Sequence, residues 1–379
     1  MTKLDELIQE LCPDGVEYKE LQEILTIKNG SDYKHLSKGD IPVYGSGGIM
    51  TYVETFSYDK PSVLIPRKGS IDKLYYVEAP FWNVDTIFYT DIDSTQIKPK
   101  YLFYCLQREH LEQYNTAGGV PSLTQAVLNK VQIPVPPQPV QREIVRILDN
   151  FTELTTELTA ELTDRKKQYE FYRDKLLDFA GNTDVKNVPL GDIAKFVYGY
   201  TDKAKETGSV RFVRITDISE DGRLNPYDAK YVELTDESKK YLLKKGDLLL
   251  ARTGATYGKT LYFEEDEPAV YASFLIKIIL DNSVIKNRYY WHFSKSSLYW
   301  EQAERYVSKG GQQQFNTNAV SRVIVPIPSL EVQDRIIYVL DNFDAICTDL
   351  SSGLPAEIEA RQKQYEYYRD KLLSFEEKI

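Results

Sequence analysis

Apolar residues recur at alternating spacings of three and four along two long stretches of the chain, 140–179 and 332–375. This spacing is typical of one face of an α-helix, and its persistence with a four-residue stutter indicates a coiled-coil seam. A helix of roughly 40 residues is on the order of 60 Å long, and its apolar stripe needs a partner along most of that length. We therefore predict two long helices that pack against each other. The alternative is a core helix of an ordinary domain, which the length and duplication of the stripe disfavour.

The two stretches are copies of each other. Residues 168–179 read QYEFYRDKLLDF and residues 364–375 read QYEYYRDKLLSF, with ten of twelve positions identical. Upstream, VQREIVRILDNF at 140–151 matches VQDRIIYVLDNF at 332–343. A repeat of this length predicts two similar halves, each ending in the same helix.

The second copy is four residues longer than the first, because it contains the segment SSGLP at 351–355. Gly353 and Pro355 predict a break or kink there, since neither residue favours a helix interior. Aromatic and leucine residues along both seams are our candidates for packing between the helices. Some of the tyrosines could instead face a partner protein. The packing candidates are Phe151, Leu158, Tyr169, Tyr172, Leu176, Phe343, Leu350, Tyr365, Tyr368 and Leu372.

Outside the long helices the pattern changes to short β-type runs separated by glycine and proline, which is typical of an α+β domain. Examples are the runs at 41–44 and 62–65, each followed by turn residues. Helical periodicity appears at 3–11, 100–114 and near 123–130.

A second region of this kind follows the plan of the first. Residues 248–255 match 63–70, and the glycine pair at 310–311 matches 118–119. The interiors of the two regions otherwise differ, which favours one scaffold carrying two different binding domains. The expected boundaries are 1–137 for the first domain, 138–181 for the first helix, 182–329 for the second domain and 330–379 for the second helix.

Charge and cysteine content narrow the class of protein. The net charge is −10, which by itself argues against nucleic acid, but residues 190–324 carry 20 Lys and Arg against 18 Asp and Glu. Residues 1–132 carry 13 against 18. A local basic surface is therefore compatible with the overall charge. Three scattered cysteines, three histidines and no apolar run of membrane length favour a cytoplasmic protein without a disulfide framework or metal site.

No catalytic or cofactor motif stands out. The chain lacks a phosphate-binding GxxxxGK[ST] loop, and Tyr44–Gly48 is more typical of a β-turn. The tripeptide at 225–227, Asn-Pro-Tyr, lacks the second proline of the adenine-methyltransferase signature Asn-Pro-Pro-Tyr. We expect no catalysis and no cofactor in this chain.

Polar loops with cations, amides and glycines are the remaining candidate chemistry. An arginine fork suits guanine edges, glutamine amides suit adenine edges, and glycine lets the backbone approach a phosphate closely. Arg211 and Arg214 are expected to share one face of a strand. For each loop a solvated turn is the alternative interpretation. The candidate DNA-binding residues are Arg67, Lys68, Ser70, Arg211, Arg214, Arg252, Thr253, Thr256, Tyr257, Lys259, Gln312, Gln313 and Gln314.

Over essentially its whole length the chain resembles the specificity subunit of type I restriction–modification systems. The resemblance is carried by the proline-linked run at 133–151, its echo at 325–343, the two RDKLL helices, and the loops at 211–218 and 251–259. It implies two similar α/β target-recognition domains separated by two long helices that form an antiparallel coiled coil with pseudo-twofold symmetry. The longer second helix and the acidic first domain depart from a simple duplication.

The resemblance also implies a division of labour. Each domain would read one part of a split double-stranded DNA sequence, and the helices would space the domains and bind two methyltransferase subunits. Those subunits would supply S-adenosylmethionine-dependent adenine N6 methylation, and restriction subunits would add ATP-driven cleavage. Two rival functions are a tandem protein-binding adaptor with no DNA role and a fused methyltransferase-like enzyme. Salt-sensitive binding to duplex DNA would distinguish the first rival, and the missing cofactor motifs disfavour the second.

Overall fold

The computed structural model of the protein describes residues 2–115, 118–308, 313–349 and 352–378. The chain divides into two compact units. Unit 1 comprises 1–159 together with 357–379, and unit 2 comprises 160–356. Each unit therefore contains one globular domain and parts of both long helical regions.

The first domain contains short strands and helices in the order expected of an α+β domain. The helix expected at 100–114 ends early, because His110 adopts a left-handed backbone conformation with φ of 46°, and a 3₁₀ turn follows at Leu111–Tyr114. The helix expected near 123–130 is a single turn. The elements are α1 (Lys3–Leu11), β1 (Tyr18–Glu20), α2 (Leu21–Ile24), β2 (Leu25–Asn29), β3 (Lys38–Gly45), β4 (Gly48–Val53), β5 (Ser62–Pro66), β6 (Tyr75–Val77), β7 (Trp82–Asn83), β8 (Ile87–Ile92), α3 (Pro99–Arg108), α4 (Gln125–Leu128) and β9 (Gln132–Pro134).

The first long helix, α5 (Gln138–Leu177), is continuous over 40 residues and contributes to both units. The second domain follows it. Its elements are β10 (Lys186–Pro189), α6 (Leu190–Ile193), β11 (Ala194–Tyr198), β12 (Val210–Val213), β13 (Tyr231–Val232), β14 (Leu248–Ala251), β15 (Thr260–Tyr262), β16 (Ala269–Tyr271), β17 (Leu275–Leu280), α7 (Asn287–Phe293), α8 (Ser297–Tyr306), α9 (Thr317–Val320) and β18 (Ile324–Ile327).

The predicted break in the second long helix is confirmed. It consists of α10 (Leu330–Thr348) and α11 (Leu354–Leu372). Gly353 lies at the break in close contact with the end of α10, where an added Cβ would come within 2.7 Å of the Ala345 carbonyl oxygen. A residue without a side chain is therefore required for this approach of the backbone. None of the helices in the described part of the chain is long and apolar enough to cross a membrane.

Within the described residues the two domains share one sheet plan. The first domain has strand orders β2-β8-β5-β6, β4-β3-β7 and β1-β9, and the second has β11-β17-β14-β15, β13-β12-β16 and β10-β18. The parallel pairing of two strands is also repeated, between β3 and β7 and between β12 and β16. The strands β5 and β14 are buried at every position, as expected for continuous apolar runs in the middle of a sheet. The two predicted halves thus have the same fold despite their divergent interiors.

A buried glutamine joins the globular domain to a long helix in the same way in each unit. Gln141 accepts a hydrogen bond from the Lys98 amide at 2.8 Å and donates to the carbonyls of Gln96 and Pro136. Gln333 accepts from the Lys286 amide at 2.9 Å and donates to the carbonyls of Val284 and Pro328. One amide side chain therefore satisfies three backbone groups at the start of each helix.

Aromatic rings stack between the long helices within each unit. In unit 1 the rings of Phe151 and Tyr368 are 5.3 Å apart, and in unit 2 those of Tyr172 and Phe343 are 5.5 Å apart. The two pairs are equivalent in the repeat, because Phe151 corresponds to Phe343 and Tyr172 to Tyr368. Leu176 and Leu372 are partly buried against the core of their own unit. Leu158 is half-buried, and Leu350 lies outside the described residues.

Tyr169 and Tyr365, which we expected between the helices, instead hydrogen-bond to the globular domain of their own unit. The Tyr365 hydroxyl donates to Gln107 Oε1 at 2.8 Å. The Tyr169 hydroxyl lies 3.1 Å from Nδ1 of His292, which is fully buried. The Nε2 atom of the same ring lies 2.7 Å from Asp341 Oδ1. The neutral ring satisfies both neighbours when Nε2–H donates to Asp341 and Nδ1 accepts from Tyr169. Burial lowers the pKa of His292 to about 4.

We predict that unit 2 loses stability as the pH falls from about 6.5 to about 4. In this window the unfolded chain binds a proton at His292 and the native chain does not, so acid favours unfolding. The free energy of unfolding should fall by about 2 kcal/mol between pH 7 and pH 5 from this group alone. Urea denaturation across this range, compared between wild type and His292→Gln, measures the effect. The glutamine keeps a donor and an acceptor but does not titrate, so it should flatten the dependence, whereas exposed His35→Gln should leave it unchanged. An equal slope in wild type and His292→Gln would contradict the assignment.

Candidate nucleic-acid interface

The loops predicted from separate parts of the sequence meet in each unit. In unit 2 the loop after β14 pairs with the segment before α9. The Phe315 amide donates to the Arg252 carbonyl at 2.7 Å, and Thr253 and Gln314 form an antiparallel β-bridge. In unit 1 the Leu123 amide donates to the Arg67 carbonyl at 2.9 Å. Each domain therefore presents a two-part surface at the carboxyl end of an interior strand of its four-stranded sheet, β5 in unit 1 and β14 in unit 2.

A glycine in the left-handed region gives both loops the same turn. Gly69 has φ of 78° and Gly254 has φ of 71°, and the amide of each bonds to the facing segment, at Pro121 and Gln313 respectively. Residues with a Cβ are strained in this conformation. The duplicated glycine is therefore explained by backbone geometry, and the residues around it are free to differ.

Arginine stands at the start of each loop and packs against aromatic rings. The guanidinium of Arg252 lies 5.3 Å from the ring of Tyr198 and 5.5 Å from that of Phe274, and both rings are partly exposed. Its Nε donates to the Ser273 carbonyl at 3.2 Å. Arg67 lies 5.0 Å from the Phe88 ring and donates to Asn29 Oδ1 at 3.3 Å. The rings hold each guanidinium in place and leave donors available to a ligand.

The other candidates of the unit 2 loop lie at different depths. Gln313 and Gln314 are exposed, and Gln312 lies outside the described residues. Thr253 is buried, and its hydroxyl has no hydrogen-bond partner within the described part of the chain.

Behind this surface the loop contacts the domain. Thr256 donates to the Thr253 carbonyl, and Tyr257 packs edge-on against Trp300 and Phe315. Lys259 borders a cavity. In unit 1, Lys68 is exposed and Ser70 is half-exposed.

The expectation that Arg211 and Arg214 share a strand face is wrong. The strand β12 ends at Val213, and residues three apart would in any case lie on opposite faces of a strand. Arg214 instead pairs with the buried Asp217 at 2.6 Å and with Asp228 at 3.3 Å. Arg211 donates to the Asn225 carbonyl. Both arginines hold the segment 214–230, which connects β12 to β13.

That segment contains an ion-pair cluster that the sequence pattern did not reveal. Arg223 pairs with Asp344 of α10 and donates to Thr348 Oγ1 at 2.7 Å. Lys295 lies 3.3 Å from the same carboxylate and 3.3 Å from the centre of the Trp291 ring. Burial lowers the pKa of Lys295 to about 8. Arg223 and Asp344 are 121 positions apart, so no local spacing could have linked them.

The cavity beside this cluster has a volume of about 380 Å³ and is lined by equal numbers of cations and carboxylates. Such a balanced lining gives no net attraction for an anion. The exposed loop surface is therefore the better candidate for contact with phosphates and bases. The charged lining residues are Lys166, Arg173, Lys259, Lys295, Glu170, Glu220, Asp221 and Asp344.

Solved structures of other proteins share this fold. The S subunit of a type I restriction–modification system from Mycoplasma genitalium aligns with a TM-score of 0.57 at 15% identity, covering 95% of this chain and 96% of that one. A chain from a structural study of complex assembly in a type I system aligns with a TM-score of 0.63 at 15% identity, covering 96% and 98%. At this identity the likeness establishes the fold.

Sequence comparison establishes the family. A Haemophilus influenzae protein provisionally described as a type I restriction enzyme specificity subunit is 33% identical, over 95% of this chain and 96% of its own. The Escherichia coli EcoR124I/EcoR124II specificity subunit is 32% identical over 76% of this chain and 73% of its own. The model of the type I restriction modification DNA specificity domain matches twice, at residues 13–165 and 182–360. These matches confirm the resemblance seen in the repeats and loops, and the chain belongs to the type I restriction–modification DNA specificity family.

Proposed function

We propose that this chain is the DNA-sequence specificity subunit of a type I restriction–modification complex and that each unit reads one half of a split target. The observation that carries the proposal is the repeated two-part loop surface. One sheet plan presents an arginine at the same position in both units, surrounded by different residues. Two half-sites of different sequence require domains with the same fold but different side chains at the DNA-facing surface.

The chemistry of the two surfaces fits base recognition. Arginine donates two parallel hydrogen bonds to guanine, and glutamine pairs with adenine. Arg252 is flanked by aromatic rings, and the exposed Gln313 and Gln314 lie in the facing segment. We expect base contacts from these side chains and phosphate contacts from exposed Lys68.

Methylation and cleavage would come from partner subunits. The experiment that tests the proposal is to express the chain with its cognate methyltransferase subunits and to map the modified adenines in genomic DNA. A bipartite site with an unread gap is expected. A complex that modifies no such site and shows no salt-sensitive binding to duplex DNA would favour the protein-adaptor alternative.

The exposed face of the repeated helix supports two equivalent docking sites for one partner. Phe171 is 61% exposed and Tyr367 is 62% exposed. Each ring has a lysine four residues later against it, with Lys175 Nζ at 5.8 Å and Lys371 Nζ at 6.0 Å from the ring centre. Their exposure means that burial within the unit does not account for this repetition. Two copies of the same methyltransferase subunit would account for it.

We predict that Phe171→Ser and Tyr367→Ser each remove one of two bound methyltransferase subunits, and that the double variant binds none. Loss of a central aromatic contact typically costs about 2 kcal/mol or more, which is about a thirtyfold rise in Kd. Sedimentation velocity or native mass spectrometry of the complex measures the stoichiometry. Tyr338→Ser is the matched control, because Tyr338 is 71% exposed but the first long helix has Arg146 at the corresponding position. Unchanged stoichiometry in the double variant would contradict the docking site.

We also predict that Arg252→Ala weakens recognition of one half-site by about 1–3 kcal/mol and leaves the other half-site unaffected. Competition binding with duplexes altered in one half-site at a time measures this. Arg214→Ala is the contrasting variant. It should lower the thermal stability, because Asp217 would be left buried without its partner. An equal loss for every DNA sequence in Arg252→Ala would make Arg252 a phosphate contact.

A further inference from the structure

The β3–β4 hairpin of unit 1 exposes an apolar surface. None of its residues is among the DNA-binding candidates predicted from the sequence. Its strands are joined by the two-residue turn Ser46–Gly47. Ile49 is 50% exposed, Met50 57% and Tyr52 50%. Residues 41–53 contain no charged side chain. Contiguous apolar exposure of this kind marks an interaction surface.

A β-bulge brings Ile49 and Tyr52 to one side of the hairpin, whereas Met50 lies over Gly45 on the other side, where a Cβ at Gly45 would come within 2.6 Å of the Met50 sulfur. Tyr44 pairs with Ile49, but its neighbour Val43 pairs with Thr51, so Met50 is the extra residue. Ile49 and Tyr52 pair with Tyr44 and Pro42, which lie two positions apart on β3 and therefore share a face. Without the bulge, Ile49 and Tyr52 would lie on opposite faces. Bulges that redirect side chains in this way are common at functional sites.

The turn of the hairpin is fixed beside the Arg67 loop. The Ser46 amide donates to Thr86 Oγ1 at 3.4 Å, while the carbonyl of Thr86 accepts from the Arg67 amide at 3.0 Å. The Tyr75 hydroxyl donates to the Ser46 carbonyl at 3.2 Å. A Cβ at Gly69 would lie 3.9 Å from Ser46 Oγ. The turn end of the hairpin therefore adjoins the loop surface of the same unit.

Unit 2 differs at the corresponding place. Its β12 and β13 pair like β3 and β4, but the connection is the long segment 214–230, which Arg223 ties to α10. The free hairpin is thus a property of unit 1.

We propose, on the basis of the function proposed above, that the turn end of the β3–β4 hairpin enters the major groove of the half-site bound by unit 1 and that Ile49 and Met50, on the two sides of this end, contact thymine C5-methyl groups. A two-stranded β-ribbon fits the width of that groove, and apolar side chains distinguish thymine by its methyl group. The part of the ribbon nearest the turn, residues 41–53, has no acidic side chain and so adds no repulsion from the phosphates. Continuity with Arg67 and Lys68 favours DNA over a protein as the occupant.

The test uses the complete complex with methyltransferase subunits and its mapped bipartite site. Thymines of the unit 1 half-site are replaced one at a time by uracil, which lacks only the methyl group. Wild type should bind about fourfold more weakly at one or two of these positions, the value for one buried methyl group. Met50→Ser or Ile49→Ser should bind the thymine duplex with the same reduced affinity, and replacement of thymine by uracil should reduce the affinity of these variants no further. Met50→Leu should restore discrimination.

The controls separate this inference from the function on which it rests. Phe56 is 46% exposed and lies beyond the end of β4, so Phe56→Ser should keep the preference for thymine. Uracil in the other half-site should change the affinity of wild type and Met50→Ser by the same factor. A complex that binds the bipartite site but shows additive losses for uracil and Met50→Ser, or no thymine preference in that half-site, overturns the inference alone. Loss of a bound protein subunit in Met50→Ser, with the thymine preference intact, would assign the surface to protein contact. Failure to bind bipartite DNA would overturn the proposed function itself.

Discussion

A 40-residue helix with a narrow apolar stripe is not stable alone in water, and the rest of this structure depends on how α5 is covered. In unit 1 its first turns bury Val140, Ile144 and Leu148 in the core of the first domain. In unit 2 its last turns bury Tyr169 and Leu177 in the core of the second. Most helical stability in proteins comes from such packing rather than from intrinsic propensity. The helix is therefore an integral part of both units.

In the middle of α5, where fewer side chains are buried, the helix contains threonines that hydrogen-bond to its own backbone. The sequence there is rich in threonine, which is a poor residue for a helix interior. Thr155, Thr156 and Thr159 each direct the hydroxyl to the carbonyl four residues earlier, at 3.0, 2.8 and 2.8 Å. These bonds satisfy the hydroxyls locally, so this part of the helix remains regular while presenting a polar surface.

The two units differ in sequence mainly where the residues have no role in the backbone geometry and helix packing that both units share. The glutamine that joins domain to helix, the helix–helix ring stack and the left-handed glycine are repeated, because each meets a backbone or packing requirement that other residues satisfy poorly. Even at the helix–domain contact the chemistry varies. Tyr104 donates to Asp149 at 2.5 Å in unit 1, where His292 and Asp341 make the corresponding contact in unit 2. The loops that face solvent carry no such requirement, and their residues differ freely.

The sequence by itself determined the features that depend on local periodicity and repetition. The two halves, the long helices, the break at Gly353 and the buried strands β5 and β14 all follow from spacing, composition or turn chemistry along the chain. Tertiary structure decided which side chains meet. It took Arg214 out of the candidate interface by placing it against Asp217, turned Tyr169 toward His292, and joined Arg223 to Asp344 across 121 positions. It also placed the turn of the β3–β4 hairpin beside the Arg67 loop, and it set which side chains of the hairpin share a face through a bulge in the pairing of the two strands. Contacts of this kind depend on distances in space between residues far apart in the chain, and a pattern read along one dimension does not contain them.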